Sequence, residues 1–139
     1  MNSIAVTLVL TIAATPVAAF AAGTCDGANP TVTAVSLRTV SRTSYLNLYH
    51  VTATVTNLGS QPQAGDVLQF VDVVQYGGRL DDRGVPPLAP GESYRVSYIW
   101  PRSSDAGKWT SPLDFQLRPV AGSASSSCAA RKSGAGITI

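Results

Sequence analysis

Two cysteines, one histidine, a pair of adjacent aspartates and three aromatics near strand ends are the residues of this 139-residue chain with chemistry to offer. Cys25 and Cys128 can form a disulfide, persist as two thiols, or ligate a metal. A metal needs more ligands than two distant cysteines and His50 provide. His50 is the lone histidine, so a Ser-His-Asp triad would have to use it. Strand parity puts it on a threonine-rich, solvated face. No Gly-x-Ser-x-Gly elbow exists to present a nucleophile. Asp81-Asp82, helped by Asp72 or Asp105, could bind Ca²⁺, but the spacing matches no defined calcium loop. Between Arg79 and Arg83 the pair is expected to be a solvated acidic turn. Glycoside hydrolysis needs two opposed carboxyls across a cleft, of which there is no sign. The sequence therefore predicts no catalytic, cofactor or metal residues, and no enzyme. Tyr45, Tyr76 and Trp109 are the candidate ligand-binding residues: clustered at one end, they would form a patch for a sugar or a protein. The same residues would otherwise anchor loops against the rim of the core.

Composition and leader narrow the compartment. Residues 4–22 carry no charge, and Ala19-Phe20-Ala21 places small residues before a signal-peptidase site. Residues 1–21 are expected to be a Sec signal peptide cleaved before Ala22. The alternative is an uncleaved anchor, since the run is about long enough to span a bilayer. Residues 22–139 are then one domain, large enough for a single two-layer core. Export, periplasmic or secreted, makes a Cys25–Cys128 disulfide the natural state of the two cysteines. The formal charge of +2 implies no strongly charged partner. The arginines are scattered singly, without the basic stripe and interleaved aromatics that nucleic acid requires.

These residues must be carried by short strands. Thr31–Val40 reads as a first strand with a bulge or bend near Ser36. Leu46–Thr56 is a second, with Tyr49, Val51, Ala53 and Val55 on the core face and Leu48, His50, Thr52, Thr54 and Thr56 on the other. Asn57-Leu58-Gly59 breaks it. Val67–Tyr76 is apolar on both faces, so it is either central and covered on its outer side or bulged. A hairpin at Gly77-Gly78 follows. Leu80–Leu88, with Pro86-Pro87, is an edge strand or extended connection. After the Pro90-Gly91 turn, Tyr94–Trp100 turns Tyr94, Val96, Tyr98 and Trp100 inward. Phe70 shares their core assignment. Leu113–Val120 places Leu113, Phe115 and Leu117 inside, and residues 130–139 supply a last strand. About seven strands, with turn signals every eight to twelve residues and no helical periodicity after the leader, predict an all-β immunoglobulin-like antiparallel two-sheet sandwich.

Val51-Thr52-Ala53-Thr54-Val55-Thr56-Asn57-Leu58-Gly59, Ala64-Gly65, the Gly77-Gly78 turn, Leu88-Ala89-Pro90-Gly91-Glu92-Ser93 and the strand ending at Trp100 resemble the CARDB domain, the "cell adhesion related domain found in bacteria". The resemblance spans roughly residues 32–120. It implies an immunoglobulin- or fibronectin-like fold and a binding or spacer module at the bacterial envelope, and it brings no catalytic residues. The expected function is an exported, non-catalytic module that binds an envelope protein or glycan through its loops or a sheet edge. The alternative is a structural spacer or self-associating envelope subunit.

Overall fold

A computed structural model describes residues 27–105, 111–121 and 134–139. Seven strands occupy Pro30–Arg42 (β1), Leu46–Asn57 (β2), Leu68–Gln75 (β3), Gly78–Val85 (β4), Ser93–Ser103 (β5), Pro112–Ala121 (β6) and Gly134–Thr138 (β7). They form two antiparallel sheets, β1-β2-β5 and β4-β3-β6-β7. The architecture is the expected two-sheet sandwich.

Period-2 alternation builds it. Along β2, Val51, Ala53 and Val55 are fully buried, while the threonines between them face out. Those threonines form a hydroxyl ladder across the first sheet, with Thr33 Oγ1···Thr56 Oγ1 at 3.0 Å and Thr56 Oγ1···Ser93 Oγ at 2.7 Å. Opposite Val51 and Val55, the second sheet contributes Val71, Val73, Val85, Leu113 and Phe115. Val32, Val96, Trp100 and Leu88 complete the core. Fully burying each such side chain is worth about 1.5–3 kcal/mol, an upper figure because the unfolded chain already hides some apolar surface.

Several local expectations need correction. β1 pairs regularly through Ser36 and shifts register instead between Val32 and Ala34 and between Thr39 and Ser41. Ala34 is exposed, so the change of inner face falls just after Val32. The β3–β4 hairpin turns on Tyr76-Gly77, because Gly78 is already paired with Gln75. Both turn residues have positive φ, 49° and 79°, the geometry of a two-residue hairpin matched to strand twist. Phe70 lies on the outer face of β3, alternating with buried Gln69 and Val71. Its ring is covered by the Arg118 guanidinium at 5.3 Å. β3 is thus central between β4 and β6, with its outer face shielded by a charged side chain. Tyr94, at the start of β5, is 40% exposed rather than buried. Tyr98 is packed against the core beside Val96 and Trp100.

Candidate functional site

The sandwich has two ends of different character. At one end the residues that carried the family resemblance converge on Asn57, which is fully buried. Its side-chain carbonyl accepts from the main-chain N–H groups of Asn29 (2.9 Å) and Gly59 (3.0 Å). Its amide donates to Gln61 O (2.9 Å) and Leu88 O (3.0 Å). Its own N–H donates to Glu92 O, and its carbonyl accepts from Gly91 N. Residues 89–92 close a turn with Pro90 and then Gly91 at φ 76° at its centre, the type II arrangement, and Glu92 Oε2 accepts from Ala89 N at 2.8 Å. Gly59 has no room for a Cβ, which would collide with Gly27 O and lie 2.6 Å from Asn29 N. Gln63 and Gln69 exchange amide hydrogen bonds of 3.0 and 2.9 Å, and Gln63 also clamps Leu88 N. Asn-x-Gly and Leu-Ala-Pro-Gly-Glu are therefore two halves of one structural pin.

The other end carries the candidate binding residues. Thr43 Oγ1 accepts from Leu46 N, and Ser104 donates to the carbonyls of Ser44 and Tyr45, fixing the β1–β2 turn. The Tyr45 side chain on that turn is 85% exposed. Tyr76, 74% exposed, sits in the β3–β4 hairpin at the same end. Its hydroxyl shares a 2.9 Å hydrogen bond with Ser111 Oγ. Beneath lies Arg102, which is buried and was not singled out from the sequence. Its guanidinium donates to Ser111 Oγ (3.1 Å) and Ile139 O (3.2 Å) and lies 5.1 Å from the Trp100 ring centroid. A continuous path thus runs from Tyr76 through Ser111 and Arg102 to Trp100. The only sequence sign of Arg102 was its parity with Trp100 two residues earlier. Trp109 lies outside the described residues. So do Cys25, Cys128 and the expected signal peptide.

The remaining candidates are kept apart. His50 faces outward on β2, with Arg38 and Ile99 as its cross-strand neighbours. Neither can orient an imidazole as a triad carboxylate would. Asp81 and Asp82 are not in a turn but in β4, where alternation sends adjacent side chains to opposite faces. Asp81 points inward at the sheet edge and pairs with Arg83 at 2.8 Å. Asp82 and Asp72 share the outer face with Arg79 and Arg118. Arg118 grips Asp72 through two bonds of 2.7 and 2.9 Å, and its pKa is raised first by that hydrogen bonding. Asp105 accompanies neither aspartate; its N–H turns back on Ser103. Among the described residues no group of three or more His, Cys, Asp or Glu is placed to hold a metal.

No family model and no curated protein matches the chain. Among solved structures it is similar to a Bacteroides uniformis β-glucuronidase, at 12% identity and a TM-score of 0.49, covering 75% of this chain and 12% of that one. It is also similar to a Bacteroides fragilis protein assigned as a β-galactosidase, at 13% identity and 0.48, covering 81% and 17%. A Bordetella pertussis protein assigned as ApaA matches at 18% identity and 0.41, covering 83% and 91%. The chain spans only about an eighth of the glucuronidase. All three are likenesses in β-sandwich outline, and the class of this protein, an immunoglobulin-like β-sandwich, rests on its own strand pairing.

Proposed function

We propose that this chain is an exported, non-catalytic module of the CARDB kind that binds a protein or glycan of the bacterial envelope through the end bearing Tyr45 and Tyr76. The observation that carries this is the pair of exposed tyrosines presented on main-chain frames rather than tucked into the core. Tyr76 moreover holds a left-handed backbone that L side chains adopt at a cost of about 1–2 kcal/mol. Strain kept at an exposed aromatic points to use of that aromatic. Rigid, amphipathic tyrosines lose little entropy on contact and suit both protein and sugar surfaces.

The test is an affinity pull-down of the tagged, natively exported protein, with bound species identified by mass spectrometry. A specific envelope protein or glycan is expected, and the Tyr45→Ala/Tyr76→Ala double variant is expected to lose it. Capture that survives the double variant removes this end from the mechanism. Recovery of the bait alone, as multimers, favours a self-associating spacer instead.

A further inference from the structure

We propose that the free edge of β5 is a strand-addition site for an extended acidic segment of a partner protein. The edge runs along the side of the sandwich and not at the tyrosine end, so it stands independently of the function proposed above. Among the described residues four strands end the two sheets: β1, β5, β4 and β7. Three are guarded against pairing with foreign strands. β1 is broken by two register shifts. β7 has five residues. β4 has a register shift opposite Val73/Val74 and turns the Asp81–Arg83 ion pair inward. Bulges, short length and inward charges are the usual devices for blunting an edge. β5 itself carries none of them, and the one group of its edge that a neighbour reaches is Ser97 O, which accepts from Arg83 of β4. Its pairing with β2 runs unbroken from Leu46↔Ser103 to Thr56↔Ser93.

The open groups can be assigned. Arg83 Nε donates to Ser97 O at 3.1 Å, so the main chain of Ser97 points away from β2. That carbonyl already has a donor, which an added strand must share or displace, and the open group at Ser97 is its N–H. Antiparallel alternation gives Arg95 and Ile99 the same direction. Pro101 shares that parity and has no N–H, which closes the ladder at one end. The turn at 89–92 closes it at the other. Beside this stretch, Arg83, Gly84, Tyr94, Arg95, Val96 and Ser97 line an open cleft of about 290 Å³.

Charge selects the occupant. The lining contains two arginines and no carboxylate. Arg83 is committed to Asp81, whereas Arg95 is exposed and makes no ion pair among the described residues. An incoming strand would set one side chain opposite Arg95 and another, four residues away on the same face, opposite Ile99, which is 48% exposed. A carboxylate suits the first position and an apolar side chain the second. A second copy of this chain fits less well: β5 carries no carboxylate, so pairing β5 with itself leaves Arg95 unmatched.

The test uses the full chain and two synthetic decapeptides. One carries glutamate and valine four residues apart in a threonine-rich extended background. The other has lysine in place of glutamate. Amide exchange and chemical shifts are followed by NMR. The glutamate peptide is expected to slow exchange at Ser97 and Ile99 and to shift their amides and that of Arg95. It should bind about tenfold tighter than the lysine peptide, and Arg95→Glu should reverse the preference. The Tyr45→Ala/Tyr76→Ala variant should bind the peptide unchanged, which separates this site from the tyrosine end. Unperturbed β5 amides, equal binding of both peptides, or indifference to Arg95→Glu overturns the proposal. Protection that appears without peptide and grows with protein concentration overturns it in favour of a second copy.

Discussion

At the scale of single residues, the polar side chains inside this sandwich carry as much specification as the valines. Asn57 satisfies two main-chain donors and two acceptors drawn from three separate segments. Replacing it with alanine leaves those groups buried without partners, and an orphaned buried polar group costs about 1–3 kcal/mol. Asn57→Ala is therefore expected to destabilise the fold by about 3 kcal/mol, read from urea unfolding midpoints; a loss under about 1 kcal/mol would mean that water replaces the pin. Tyr98 makes a second prediction. Its pKa is raised above the ordinary 10.0, first by burial and then by the nearby Asp81 carboxylate, against an opposing Arg83. The folded chain thus holds this proton more tightly than the unfolded chain does. The stability it contributes is complete below about pH 10 and is lost as pH rises through the folded pKa. Urea midpoints measured from about pH 8 to 11.5 should fall less steeply for Tyr98→Phe than for the parent; parallel curves would sink the assignment.

At the scale of elements, hairpin geometry and edge protection decide details that composition leaves open. Tyr76 occupies a turn position that asparagine or glycine fills without strain. Tyr76→Asn is expected to leave stability equal or higher by up to about 1 kcal/mol, although it removes the hydrogen bond to Ser111. It is also expected to weaken envelope capture in the pull-down. A clear fall in thermal midpoint would show that the Ser111 bond outweighs the strain. The alternation of β2 was legible because one face is valine and the other threonine. Where both faces are apolar, as in β3, parity alone could not say which way Phe70 turned. Its outward position depends on Arg118, a residue on β6 that covers the ring, and such long-range cover leaves no local mark. Asp81-Asp82 was misplaced for a related reason. Charged, proline-flanked sequence suggests a turn, yet here the charges guard the edge of β4, and Arg83 also caps one carbonyl of the other sheet, Ser97 O. Of the candidate binding end, the sequence left open whether Tyr45 and Tyr76 are exposed or anchor loops against the core, and only their place near strand ends was readable. The buried Arg102–Ser111 support was not, because it joins β5 to a residue before β6 that only the closed sandwich brings near.

At the scale of the whole molecule, the sandwich directs its chain ends. Gly27 lies against Gly59 at the Asn57 end. Ala121 closes β6 opposite Leu68, beside the Gln63–Gln69 clamp that ties into Leu88 of the same pin. β7 starts at Gly134 opposite Gln116 and runs back toward the other end. The described residues nearest Cys25 and those on either side of Cys128 are thus directed to a single end, with β1 packed beside β7. A bridge between these cysteines would enclose about a hundred residues, and the chain-entropy model gives such a loop about 4–5 kcal/mol. That exceeds what any single packed side chain supplies, so reduction should be felt globally rather than at the bridge alone. The natively produced protein is expected to have a nonreduced mass lower than its reduced mass by two hydrogens. Its urea midpoint should fall on reduction, and Cys25→Ser/Cys128→Ser should reproduce the reduced midpoint without further response to reductant. Equal masses mean two free thiols. A mass difference with no change in midpoint means a bridge whose unfolded state is already compact enough to hide the entropy it removes.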